Sequence, residues 1–222
     1  IALDLAQRVE SFVRSEVIPF EKDPRSGGHG PTDELINELR AKAREAGVLT
    51  PHILDDGSHL TQLETALVLK KSGLSPLGPP AVNTAAPDEG NMFLLGKKAN
   101  EAQRVRFLDP LVRGEARSAF FMTEPALEGG IVMAMAEEGA TLFLVDLPHP
   151  AIRIDRILDT IDSSMPGGHS EVTIDDLRVP ADQILGEPGE GFRLAQIRLA
   201  PARLSHCMRW HGVATRAQEI AT

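Results

Sequence analysis

The densest run of side chains able to do chemistry lies near the end of the chain: Arg203, His206, Cys207, Trp210 and His211. Two imidazoles beside the chain's single thiol raise two possibilities, metal ligation and a nucleophile. The metal reading fails on spacing. His206 and Cys207 are adjacent and so do not share a helix face, and no further ligands stand at a credible interval. His206 and Trp210, at i and i+4, read as a packed pair, and Cys207 as a small buried hydrophobe. Arg203, taken alone, reads as a helix-surface arginine whose long stem covers apolar surface. The acids Glu171, Asp175, Asp176 and Glu219 are strand-turn or helix-surface residues, solvated in nearly every case. None of them qualifies as a general base.

The elements around these residues meet at Gly168 to Arg203. Glu171, Thr173 and Asp175 alternate with Val172 and Ile174, the period of a half-buried strand. Val179-Pro180 closes it, Gly186, Gly189 and Gly191 punctuate the exit, and helical patterning begins at Phe192. Upstream, Ile1 to Ile18 patterns as an amphipathic helix ended by Pro19. Thr32 is placed to cap a second helix with Gly47 beyond its end, and Thr61 with Glu64 forms a capping-box pattern for a third, stopped at Gly73. Residues 75–92 predict a long connection with short helical turns. Asn100 to Gly114 predicts a fourth helix, broken or kinked at Pro110, with Val105, Leu108 and Leu111 inward. The runs 118–125, 141–146, 152–158 and 171–176 are strand candidates. From Arg203 to Ala221 only Gly212 interrupts a helical pattern. Helices, then strands, then helices make an α+β chain.

Composition narrows the function classes. A formal charge of −9, with basic residues interspersed among acids, argues against nucleic-acid binding. One cysteine among 222 residues excludes an internal disulfide framework and fits a reducing compartment. No apolar run reaches the roughly 20 residues of a membrane helix. The N-terminus lacks a signal-peptide pattern, so a cytoplasmic protein is expected.

Three runs resemble one family in order along the chain. EVTIDDLRVPADQILGEPGEGF, from Glu171, resembles the junction between the middle β domain and the C-terminal helical domain of acyl-CoA dehydrogenases. SAFFMTEP, from Ser118, resembles their flavin-side strand, and SPLGPPAVNTAAPDEGNM, from Ser75, is similar to the N-terminal domain of a longer-branched subgroup. The resemblance implies an N-terminal helical domain over 1–116, an incomplete, barrel-like middle β domain over 117–185, and the start of a C-terminal helical bundle over 186–222.

It also implies non-covalent FAD. Phe120, Met122 and Thr123 would lie along the flavin, the last two through backbone groups and the Thr hydroxyl. Arg203 resembles the arginine that opens a helix beside the acyl-CoA channel. The implied reaction oxidises an acyl-CoA to the 2-enoyl thioester by α-proton abstraction and β-hydride transfer to flavin N5. Electrons would pass to an electron-transfer flavoprotein, and the assembly would be a homodimer or homotetramer, in the mitochondrial matrix if eukaryotic. Two features depart from the pattern. Some members place the catalytic glutamate immediately before this arginine, where this chain has Ala202, while others supply it from the far end of the bundle; the catalytic residue is therefore unassigned. The middle β region is also short after Pro125, where Glu128, Gly129 and Gly130 replace an expected serine contact. Missing middle and C-terminal segments are expected, and the rival reading is a catalytically silent scaffold subunit of a mixed assembly.

Overall fold

The computed structural model describes residues 1–27, 30–121, 129–159 and 168–222. Met122 and Thr123 lie outside the described residues. The chain divides into two compact units, one of Ile1–Ala86 with Pro201–Thr222, the other of the described residues of Pro87–Ile161 and Gly167–Ala200.

The first unit is helical. Helix α1 (Ala2–Phe12) runs on through a wide π turn (Val13–Val17) into a 3-10 turn (Ile18–Lys22) that accommodates Pro19. Helix α2 (Asp33–Glu45) starts where the Thr32 side chain accepts from the Leu35 amide. Helix α3 (Gln62–Ser72) carries the complete capping box of Thr61 and Glu64, and α4 (Gly78–Ala81) is one turn. Val9, Phe12, Leu35, Leu39, Val68 and Leu69 form the centre of one apolar core.

The second unit begins with α5 (Asp88–Lys98), α6 (Glu101–Gln103), a π turn (Arg104–Leu108) and α7 (Asp109–Val112). An 11-residue helix thus replaces the later part of the connection predicted over 75–92. Pro110 falls in the first turn of α7, directly after the π turn. Val105, predicted inward, is exposed while Leu108 and Leu111 are buried. The i→i+5 turn at Arg104–Leu108 advances the helix face by more than an α turn and rotates Val105 outward.

Among the described residues six strands follow: β1 (Ala119–Phe121), β2 (Gly129–Ala136), β3 (Gly139–Asp146), β4 (Ile152–Leu158), β5 (His169–Ile174) and β6 (Ile184–Leu185). One sheet has the order β1-β2-β3-β6; β4 and β5 pair separately. Among the described residues the β layer is open, as an incomplete barrel requires. β1 pairs parallel with β2 although only residues 122–128 stand between them, whereas a parallel crossover ordinarily takes a dozen or more. In β5 the predicted alternation holds at Val172, which packs on the β-layer core, but Ile174 is exposed. Gly189, at φ +81°, donates its amide to Thr141 Oγ1 and so joins the glycine-rich exit to the β2–β3 hairpin.

Helix α8 (Gly191–Ala221) is continuous and contains Pro201. Arg203 therefore stands inside a helix rather than opening one. Residues to Ala200 belong to the second unit and those from Pro201 to the first.

Candidate functional site

In the second unit a buried polar network holds β1, the strand expected from the family resemblance to lie along a flavin. Asp88 lies in the first turn of α5, where the helix dipole favours a carboxylate. Its Oδ1 accepts from the Ser118 amide at 2.6 Å and from Ser118 Oγ at 2.7 Å. Asn91, fully buried one turn later, donates from Nδ2 to Ser118 Oγ at 2.8 Å and to the Ala119 carbonyl at 3.0 Å. Its Oδ1 accepts from Arg198 Nε at 2.6 Å. The amide thereby uses both protons and its oxygen. Arg198, on the first turns of α8, also donates to the Pro87 carbonyl at 3.3 Å, and its guanidinium stands 4.0 Å from the centroid of the Phe120 ring. That geometry is a cation–π contact in a desolvated place, where such contacts are strongest.

β1 is an edge strand. Among the described residues no strand pairs with its other side, and a row of fixed donors and acceptors is what the pyrimidine edge of a flavin requires. The described residues fit that group in this respect. A cleft of about 50 Å³ beside the network, lined by residues including Asn91, Leu95, Ser118 and Ile131, is far below the roughly 300–1,000 Å³ of a small-molecule pocket.

Of the predicted site residues, Phe120 is buried in β1, and Met122 and Thr123 lie outside the described residues. Arg203 is exposed on α8 in the first unit. His206 accepts from Trp210 Nε1 at 2.7 Å with the rings edge-on, the pair expected from their spacing. Cys207 is exposed, not buried as predicted, because it lies on the face of α8 turned away from buried Ser205 and Arg209. Among the described residues no candidate base emerges. Glu219 is held below the usual carboxylate range by its hydrogen bond from Arg14, and Asp155 by bonds from Thr173 and Arg153. Glu171 pairs with Arg156 in the open.

Sequence reasoning missed Asp88, Asn91, Ser118 and Arg198 as a group. Three of them fall within quoted runs, but nothing local marks Arg198, whose partner Asn91 is over a hundred residues away. It also missed His52, fully buried in the first unit with neither ring nitrogen hydrogen-bonded. Burial, then the neighbouring His59 and Arg209, push its imidazole down to about 3.

No family model matches the chain. The probable acyl-CoA dehydrogenase FadE2 of Mycobacterium tuberculosis is 34% identical over 265 positions, covering 97% of this chain and 65% of the relative. The chain thus spans about two thirds of that relative's length. An alignment of 265 positions exceeds the 222 residues of the chain, so the relative carries internal residues that this chain lacks. This agrees with the short parallel connection between β1 and β2. Among solved structures, a candidate acyl-CoA dehydrogenase from Mycobacterium abscessus superposes with a TM-score of 0.81 at 30% identity, covering 98% of this chain and 68% of that one. An acyl-CoA dehydrogenase complexed with FAD from Bacillus anthracis shares the fold at a TM-score of 0.77 and 21% identity, covering 99% and 43%. With runs 75–92, 118–125 and 171–192 in the family's order, an α+β fold with an open β layer, and a 30%-identical relative matched over two thirds of its length, the chain belongs to the acyl-CoA dehydrogenase family.

Proposed function

We propose that the protein of which this chain forms part is an FAD-dependent acyl-CoA dehydrogenase that converts an acyl-CoA thioester to its 2-enoyl thioester. The observation that carries the reading is β1: the run SAFF stands at the edge of the described sheet, anchored by Asp88 and Asn91 from α5 and by Arg198 from α8. The solved FAD complex of the same fold supports the choice of cofactor. FAD, when bound, supplies the acceptor for the hydride that leaves Cβ. Phe120 would border the flavin, and Met122 and Thr123 would offer backbone groups and a hydroxyl to its pyrimidine edge. Arg203, exposed and cationic, would meet the acyl-CoA. The α-proton must go to a carboxylate whose pKa is raised by burial. Ala202 cannot serve, so the base is assigned to no residue of this chain. Electron-transfer flavoprotein as acceptor, a homodimeric or homotetrameric assembly, and the division at 1–116, 117–185 and 186–222 belong to the same reading.

Ala202 also favours a second reading, a silent scaffold subunit that keeps the fold without the base. One experiment separates the two. The full-length protein is purified, its visible spectrum recorded, and acyl-CoA thioesters added without oxygen. Flavin bands that bleach on addition are expected. Bands that persist with every chain length select the scaffold, and a colourless protein with no affinity for FAD overturns the flavoprotein reading.

A further inference from the structure

Arg198 is 7% exposed, and burying a guanidinium is costly unless its hydrogen bonds and charge are accommodated. Filling space between helix and strand would require only an apolar side chain. What Arg198 adds is direction. Its planar face lies on Phe120, Nε meets Asn91, and Nη2 meets the Pro87 carbonyl. Asn91 passes the constraint on to Ser118 and Ala119, and Asp88, one turn earlier on α5, holds the Ser118 amide. Three consecutive residues, Ser118, Ala119 and Phe120, are thereby gripped by side chains rather than by strand pairing alone. Phe120 is itself expected to border the cofactor, and Met122 and Thr123, the other expected contacts, follow it in the chain.

Resting on the flavoprotein reading, we propose that Arg198 is a positioning residue for the flavin. Stacked on Phe120 and joined through Asn91 to Ser118 and Ala119, it sets the reach of β1 toward the cofactor. Lysine is not an equivalent here, because it lacks the flat face and the Nε–H that make the two defined contacts.

The test uses the full-length protein as wild type and as Arg198→Lys, Phe120→Leu and Arg40→Lys, with FAD titrated into each apoprotein and melting followed alongside. Arg40 is the control: a comparably buried arginine of the first unit, bonded to Asn83 and the Pro80 carbonyl. Arg198→Lys is expected to raise the FAD dissociation constant at least tenfold and to shift the bound flavin's absorption bands. Arg40→Lys should lower the melting temperature comparably while leaving both flavin readouts unchanged. Wild-type affinity and spectrum in Arg198→Lys, or an equal loss in Arg40→Lys, overturns the inference. Should Arg198→Lys fail to fold, Phe120→Leu removes the stacked face from the other side, and an unchanged dissociation constant there overturns it as well. If the wild type binds FAD and the variants bind it equally, the inference alone falls. If the wild type binds none, the functional reading falls and takes the inference with it.

Discussion

Gly73, just past the end of α3, lies against the backbone of Arg209 on α8: a Cβ at Gly73 would overlap the Arg209 carbonyl oxygen. Gly212 completes the contact one turn on, where a Cβ would stand 2.6 Å from the Gly73 carbonyl carbon. Gly73 has ordinary helical backbone angles, so the requirement here is for space and not for a left-handed conformation. Gly212→Ala must separate two backbones, and overpacking of this kind costs about 1–3 kcal/mol or more. Urea denaturation should show that loss; an unchanged midpoint would contradict the close approach.

His52 makes stability depend on pH. Its folded-state pKa of about 3 lies below the ordinary 6.5, so the unfolded chain binds the proton more readily. The stabilisation is therefore complete above about pH 6.5 and is lost as pH falls from there toward 3. Both cationic candidates that face it, His59 and Arg209, act in the same direction. His52→Leu should flatten the decline in melting temperature between pH 6.5 and 4 relative to wild type. Parallel curves for the two proteins would sink this account.

Asn91→Ala removes the acceptor of Arg198 and the donor to Ser118 and Ala119 together. Arg198 keeps its bond to the Pro87 carbonyl, so the loss is that of one hydrogen bond to a buried charged group, about 1.5–3 kcal/mol. Hydrogen exchange should report the loss at the amides of β1 and α5. Protection equal to wild type there would show that the network does not hold the strand.

Thr61→Ala tests a purely local effect. The cap accepts from the Glu64 amide, and the Glu64 carboxylate bonds back to the Thr61 amide. A loss of about 1 kcal/mol is expected by chemical denaturation, with FAD affinity unchanged.

Arg203→Gln separates function from stability. The side chain is exposed, so its replacement should change stability by less than about 0.5 kcal/mol. In the full-length enzyme it should raise KM for acyl-CoA more than it lowers kcat. An unchanged KM would return Arg203 to an ordinary helix surface.

The caps at Thr32 and Thr61, the exit glycines and the ordering of helices, strands and helices were legible in the sequence alone. Each depends on partners within three or four residues or on a simple period. The family was legible for a related reason: it is carried by contiguous runs such as 118–125 and 171–192. Helix α5 was not, because Asp88, Glu89 and Asn91 are polar residues buried in it and erase the amphipathic stripe that would announce a helix. What makes the burial of Asp88 and Asn91 tolerable is Ser118 and Arg198, contributed by distant parts of the chain. The exposure of Cys207 and Val105 and the passage of α8 through Pro201 were likewise decided by packing. The sequence by itself determined the family and the local starts and stops of its helices. Only the tertiary structure decided which polar groups could be buried, because hydrogen bonds between residues far apart in the chain leave no local pattern.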